Sequence, residues 1–213
     1  MQDLHLFENT VYAGADLLKS SRAMIFVHGR GDAVDNMLHL ANEIVDDPGM
    51  ALVFPKATNN TWYPKSFMAP TEENQPWLDS ALENMDRVVA HIKSQGIREE
   101  NSFLFGFSQG GCLALEHACR NASKYAGVMV LSGGLIGPKI EKSNYSGDFA
   151  GTGIFIGCSD ADFHIPLQRL HESAAVATEM GATVDLRIYP GMGHTINEDE
   201  LQKVRSMIKH KNN

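Results

Sequence analysis

One pentapeptide, Gly106-Phe107-Ser108-Gln109-Gly110, constrains the fold of this chain more than any other stretch. The apolar run Phe103-Leu104-Phe105 precedes it, and a segment of helical character, 111–120, follows. A serine flanked this way at a strand-to-helix junction is forced onto a tight turn, with its hydroxyl presented at the end of a sheet. The expectation is a nucleophile aimed at a carbonyl carbon. A Gly-rich turn with a helix-capping serine would satisfy the same five letters. The reading therefore depends on whether the rest of the chain supplies a base, an orienting acid and an oxyanion site.

The segments around the pentapeptide alternate in character. Short apolar runs at 23–27, 51–54, 102–105, 128–131, 154–156 and 184–188 read as strands. Their nearly continuous apolar character suits strands buried on both faces. Amphipathic stretches at 34–46, 76–95, 111–120, 166–180 and 198–210 read as helices. Pro76 and Pro166 suit a first helical turn, where a missing N–H costs nothing, and Asn197 is a candidate cap for the last helix. This alternation predicts an α/β fold, a mostly parallel sheet with helices on both faces. At 213 residues, of which 43% are hydrophobic, the chain suits one domain spanning 1–213.

A serine hydroxyl is a weak nucleophile near neutral pH and needs a base held in the right tautomer by a third group. These partners should follow the serine, in loops after later strands. After the strand at 184–188 comes Tyr189-Pro190-Gly191-Met192-Gly193-His194, a sharp loop with a histidine at its tip. His5, His39, His91, His117, His171 and His210 lie on the N-terminal tail or in helices, where solvated side chains are expected. After the strand at 154–156 comes Gly157-Cys158-Ser159-Asp160-Ala161-Asp162. Asp160 and Asp162 both suit a turn, and spacing alone does not choose the acid.

Acyl transfer builds negative charge on the carbonyl oxygen, and backbone N–H groups aimed at it stabilise that charge. One expected donor is Gln109, the residue after the serine, at the positive end of a helix dipole. The second is Arg30, through its amide, in the loop His28-Gly29-Arg30-Gly31-Asp32 after the first strand. That loop is no dinucleotide fingerprint, because the third glycine position holds Val34, and Gly106–Gly111 is no phosphate loop, because no Gly-Lys-Ser/Thr follows. Neither a metal nor an organic cofactor is expected.

Two segments carry no period. The first, 56–75, holds Trp62, Tyr63, Phe67 and Met68, which are costly to leave in water and are read as a substrate-pocket wall. The second, 132–153, is richer in glycine and charge and has no assigned role.

Charge and cysteine usage narrow the alternatives. With 18 basic and 26 acidic residues the net charge is −8, with no Lys/Arg cluster, which argues against nucleic acid or an anionic membrane as partner. Three cysteines without a C-x-x-C exclude a disulfide framework or Cys-rich zinc site. Reduced thiols and the absence of a basic-then-apolar leader predict a cytoplasmic protein. No apolar run approaches the ~18 residues of a membrane span, so no stable membrane insertion is expected. A homodimer is the default oligomer.

With these residues assembled, the chain resembles the phospholipase/carboxylesterase family of small α/β-hydrolases, which includes acyl-protein thioesterases and small bacterial carboxylesterases. The resemblance spans about residues 23–208. It rests on His28-Gly29-Arg30-Gly31-Asp32, Gly106-Phe107-Ser108-Gln109-Gly110-Gly111, Asp162-Phe163-His164-Ile165-Pro166 and Gly191-Met192-Gly193-His194, in that order. The family pattern places its catalytic aspartate four residues before a proline, which selects Asp162 over Asp160. The family usually has proline directly after that aspartate, where this chain has Phe163. Asn60-Thr61-Trp62-Tyr63-Pro64 resembles a segment at the active-site mouth of bacterial members.

The resemblance implies a single α/β-hydrolase domain with a Ser108-His194-Asp162 triad. Only about twenty residues precede the first predicted strand, so trimmed N-terminal strands and no separate lid domain are expected. It implies a serine carboxylesterase acting on small carboxylic esters through an acyl-enzyme. Alternatives are a thioesterase or lysophospholipase acting on acyl groups of larger carriers, a peptidase or acyltransferase sharing the acyl-enzyme step, and a non-catalytic small-molecule binder on the same fold.

Overall fold

The computed structural model describes residues 4–209. Seven strands form one sheet: β1 (Val11–Gly14), β2 (Arg22–Val27), β3 (Met50–Phe54), β4 (Ser102–Phe107), β5 (Gly127–Leu131), β6 (Gly153–Ser159) and β7 (Thr183–Tyr189). Their spatial order is β1-β3-β2-β4-β5-β6-β7. β1 runs antiparallel to β3, and every other neighbouring pair is parallel. Five helices connect them: α1 (Val34–Ile44), α2 (Trp77–Ser94), α3 (Gln109–Arg120), α4 (Leu167–Glu179) and α5 (Glu198–Lys209).

Alternation along each strand sorts the core into two layers. Met24 and Phe26 of β2 pack with Phe103 and Phe105 of β4 under α1 and α5. Ile25 and Val27 pack with Leu104, Val128, Val130 and Ile156 under α2, α3 and α4. The strands that carry this double burden read as continuous apolar runs because both faces are covered. β7 differs: at the sheet edge its residues are half-buried or exposed.

All six strands expected from the sequence are present. The seventh, β1, is four residues long and mostly exposed, so it has no apolar pattern to announce it. It pairs Val11 with Phe54 and Gly14 with Ala51 at the outer edge of the sheet. This is the single trimmed strand ahead of the parallel ones. α1 stops at Ile44, short of the expected 46, with Val45 already extended. Pro48 follows closely, and the residue before a proline avoids helical geometry. Pro76 and Pro166 stand directly before α2 and α4 rather than inside them. Asn197 does cap α5: its Oδ1 accepts the Glu200 N–H at 2.9 Å.

Two histidines depart from the expectation of solvated side chains. His5 is fully buried, and its Nε2 donates to the Trp62 carbonyl at 2.8 Å. His117 is buried between α2 and α3, with Nδ1 3.3 Å from Asp86. In both cases the ring finds shelter that its neighbours in sequence do not reveal. His210 lies outside the described residues.

Register brings the loops together. Val27 of β2 pairs with Gly106 of β4, so the His28–Asp32 loop and Ser108 leave the sheet side by side. Ser159 of β6 pairs with Tyr189 of β7, so the loops carrying Asp162 and His194 do the same. Chain order reverses across β3-β2-β4, and the carboxyl ends flanking such a switch point form a crevice.

Candidate active site

Ser108 sits at φ +56°, ψ −124°, a conformation that side chains rarely adopt. The chain tolerates it because its neighbours are glycines. A Cβ on Gly106 would overlap the Gly110 carbonyl, and a Cβ on Gly110 would overlap the carbonyls of Val27 and His28. The two glycines thus let β4, β2 and α3 converge at one point. The Ser108 N–H is tied to Leu131 O of β5 at 2.9 Å, which fixes the turn from the other side.

From this elbow a chain of hydrogen bonds runs across the sheet. The Ser108 hydroxyl donates to His194 Nε2 at 2.8 Å, and His194 Nδ1 donates to Asp162 Oδ2 at 2.7 Å. Burial works to raise the Asp162 pKa, but the His194 hydrogen bond and the backbone N–H groups of His164 and Ile165 outweigh it and hold it below the usual carboxylate range. An ionised carboxylate only accepts hydrogen bonds. The proton between the two residues therefore sits on Nδ1, leaving Nε2 free to accept from the serine.

Asp160 has a different occupation. Its Oδ1 accepts the Gly191 N–H at 2.7 Å, and Ser159 Oγ accepts the Gly193 N–H at 3.0 Å. Together they pin the loop that carries His194. The two aspartates are separated by partner: Asp162 meets the imidazole and Asp160 meets the backbone.

Gln109 opens α3, so its N–H belongs to the first turn, where no intrahelical acceptor exists. The Arg30 N–H likewise meets no acceptor among the described residues. Both residues line the cavity in front of Ser108. Their side chains do something the sequence did not reveal. Arg30 donates to Pro64 O at 2.8 Å and Lys65 O at 2.6 Å. Gln109 accepts from Trp62 N–H at 2.9 Å and donates to Tyr63 O at 2.8 Å. The segment 56–75 is thereby fastened to the residues that frame the serine.

The cavity has a volume of about 690 Å³. Of the four large side chains of segment 56–75, Tyr63 and Phe67 line it; Trp62 and Met68 do not. Trp62 is fully buried behind the wall, its Nε1–H donating to His28 O at 2.9 Å and its ring between those of His5 and His28, at centroid distances of 5.3 and 5.0 Å. A buried indole keeps its N–H satisfied, and here that need turns it inward. Met68 faces a separate cavity beside Arg169 and Pro138.

His28, under the Arg30 loop, is also a scaffold. Its Nδ1 donates to Gly29 O at 2.8 Å and its Nε2 accepts the Ala57 N–H at 3.1 Å. Burial, ahead of weaker opposing contributions, lowers its pKa and keeps the ring neutral. Cys112 lines the cavity as well, but burial pushes its thiol up to about 12, so it offers no thiolate to compete with the serine.

The segment 132–153 now has a structural account. Arg169 of α4, buried, donates to Leu135 O and Gly137 O, both at 2.7 Å. Glu116 of α3, equally buried, accepts the Ile136 N–H at 3.0 Å and the Tyr145 hydroxyl at 3.1 Å. Only their burial exposes this task. Among the described residues no group of His, Cys, Asp or Glu is arranged to hold a metal ion. No described helix is long and apolar enough to cross a membrane.

A family model described as Phospholipase/Carboxylesterase matches residues 11–212. The chain is 27% identical to acyl-protein thioesterase 1 of Saccharomyces cerevisiae, the alignment covering 94% of this chain and 97% of the relative. The crystal structure of a phospholipase/carboxylesterase from Dyadobacter fermentans superposes with a TM-score of 0.91 at 42% identity, covering 94% of this chain and 95% of that one. SOBER1 of Arabidopsis thaliana superposes with a TM-score of 0.76 at 23% identity over 90% of this chain and 99% of its own, a likeness of fold alone. The architecture expected from the sequence, a mostly parallel α/β-hydrolase sheet, is the one observed.

Proposed function

The chain belongs to the phospholipase/carboxylesterase family, hydrolases of esters or thioesters, and from that premise we propose that it is a serine carboxylesterase acting on small carboxylic esters through a Ser108-His194-Asp162 triad. The observation that carries the reading is the continuous hydrogen-bond chain, 2.8 Å from serine to histidine and 2.7 Å from histidine to aspartate, on a serine held at φ +56°.

In this mechanism Ser108 Oγ attacks the ester carbonyl while His194 Nε2 takes its proton. Asp162 stabilises the imidazolium and keeps the tautomer, without taking the proton itself. The oxyanion lies between the N–H groups of Arg30 and Gln109, each such donor contributing about 3 kcal/mol to the transition state. His194 returns the proton to the departing alcohol, and water repeats the cycle on the acyl-enzyme. Tyr63 and Phe67 would contact the acyl portion.

Hydrolysis of p-nitrophenyl esters from two to twelve carbons, run beside Ser108→Ala, tests this directly. The variant should lose several orders of magnitude in kcat with little change in stability. A variant that keeps a tenth of wild-type turnover removes Ser108 from the chemistry. Labelling by a fluorophosphonate probe, lost in the variant, reports activation of the serine independently of the ester chosen.

A second reading is favoured by the match to a yeast acyl-protein thioesterase over nearly the full length of both chains. In that reading the acyl group is a thioester on a larger carrier. The triad chemistry is common to both, and specificity lies in the cavity walls. Comparing kcat/KM for an ester and a thioester with the same acyl group decides between them.

A further inference from the structure

We propose that Phe163 and His164 form an aromatic platform for the departing alcohol, so that esters of planar aromatic alcohols are the favoured substrates of this site. The inference rests on the serine-esterase reading above and specifies the side of the substrate that reading leaves open.

The argument begins with where the leaving group must go. The proton that releases the alcohol comes from His194 Nε2, so the departing oxygen has to lie within hydrogen-bond reach of that atom. Whatever the oxygen carries then passes beside the imidazole and the rings packed around it.

Rings surround that imidazole. Phe107 lies 5.1 Å from the His194 ring. His164 meets it edge-on at 4.8 Å. Phe163 stands against His164 at 4.2 Å and is 6.2 Å from His194. Centroid separations of this size are those of interacting aromatic pairs. A planar leaving group would join a cluster of tilted and edge-on rings that already reaches the catalytic histidine. The cavity lining also includes the polar Arg30, Lys65 and Ser66, and the Arg30 guanidinium is held by two loop carbonyls.

Exposure and rigidity add to this. Phe163 is 80% exposed, the most open of the large apolar side chains among the described residues. A lone exposed ring is ordinary; one packed against His164, which lines the cavity beside the proton donor, has an assignable occupant. The backbone beneath it does not need ordering on binding. Asp162 Oδ1 accepts the N–H groups of His164 at 2.8 Å and Ile165 at 3.1 Å, and the Ile165 side chain is buried. A platform fixed in advance loses little entropy when a ligand docks.

The test compares kcat/KM, which reports acylation and hence leaving-group departure, for two acetates: 1-naphthyl acetate and 2,2,2-trifluoroethyl acetate. The acyl group is constant, and each variant is compared with wild type on the same ester, so intrinsic leaving-group reactivity cancels. Phe163→Ala should lower the value for the naphthyl ester about tenfold, equivalent to about 1.4 kcal/mol, and leave the trifluoroethyl ester within about twofold of wild type. Phe163→Tyr should restore the naphthyl value. Substitution at so exposed a position leaves folding intact, which a thermal melt verifies. Equal losses on both esters would mean that the ring only orders its loop, and no loss on either would mean that it contacts no substrate; both overturn the platform. A wild-type enzyme that turns over neither ester and takes up no fluorophosphonate label would instead overturn the esterase reading.

Discussion

Asp160 and Asp162 are the same residue type two positions apart in one loop, and their environments divide them. Asp162 carries the His194 hydrogen bond and two backbone N–H groups on a buried carboxylate. Asp160 carries one N–H of the neighbouring loop and is exposed. Replacing Asp162 by Asn removes the acceptor that fixes the imidazole tautomer, and kcat should fall about 10⁴-fold. Asp160→Asn keeps an acceptor oxygen for Gly191 N–H and should cost less than about tenfold. Steady-state kinetics of both variants on one ester provide the check, and the reverse ranking would reassign the acid. Turn propensity made both residues legible as loop formers. Which carboxylate faces the histidine depends on the β6–β7 register, information that no local spacing contains.

At the scale of an element, α5 shows how a cap can carry a titration. Asn197 and Glu200 form a reciprocal pair at its N-terminus: Asn197 Oδ1 accepts the Glu200 N–H, and Glu200 Oε2 accepts the Asn197 N–H, both at 2.9 Å. This is a capping box, legible from Asn-x-x-Glu spacing. Its second consequence is not legible. Glu200 is fully buried, and its Oε1 lies against Gly157 of β6 with no hydrogen-bond partner among the described residues. Burial pushes its carboxyl up to about 7. The folded state thus holds this proton more tightly than the unfolded chain, so the stability it confers is fully present below about pH 4.5 and is lost as pH rises through about 7. A displacement of this size corresponds to about 3 kcal/mol. Glu200→Gln keeps the cap and cannot ionise. Urea midpoints measured from pH 4.5 to 8.5 should show variant and wild type converging at low pH, with the variant gaining on the wild type between about pH 4.5 and 7 and the difference levelling off above that. A difference that does not change with pH would show that Glu200 has an ordinary carboxyl.

Over the whole molecule, the cavity is built by a loop that crosses the sheet edge and is nailed down from several directions. Gly31 N–H donates to Asn60 O at 2.7 Å, His5 holds the Trp62 carbonyl, and Gln109 holds Trp62 and Tyr63 from the first turn of α3. Residues from the N-terminus, the nucleophile helix and the loop after β2 therefore meet at one wall. Gln109→Met would leave a buried N–H and a buried carbonyl without partners, at a cost of about 2–4 kcal/mol. The backbone donor proposed for the oxyanion would remain. The expected outcome is a lower melting temperature and a raised KM, with kcat reduced less than in Ser108→Ala. A KM equal to wild type would show that the wall stands without this staple.

The sequence by itself determined the strand–helix alternation, the elbow at Ser108 and the candidates Asp160, Asp162 and His194, because each rests on local chemistry: apolar period, glycines where backbones touch, loops at strand ends. The resemblance added the choice between the two aspartates. Tertiary structure alone decided which large side chains face the cavity. Trp62 and Tyr63 are adjacent and both fully buried, yet Trp62 turns inward to satisfy its indole N–H on His28 while Tyr63 lines the wall. It also decided that Glu116, Arg169, His5 and Glu200 are buried scaffolding rather than solvated polar residues. A charge or an imidazole on an amphipathic helix or tail carries no mark of what will pack over it. What buries it comes from elsewhere in the chain, as with Leu135 and Gly137 around Arg169 or Gly157 against Glu200, and only closure of the fold brings such groups within reach.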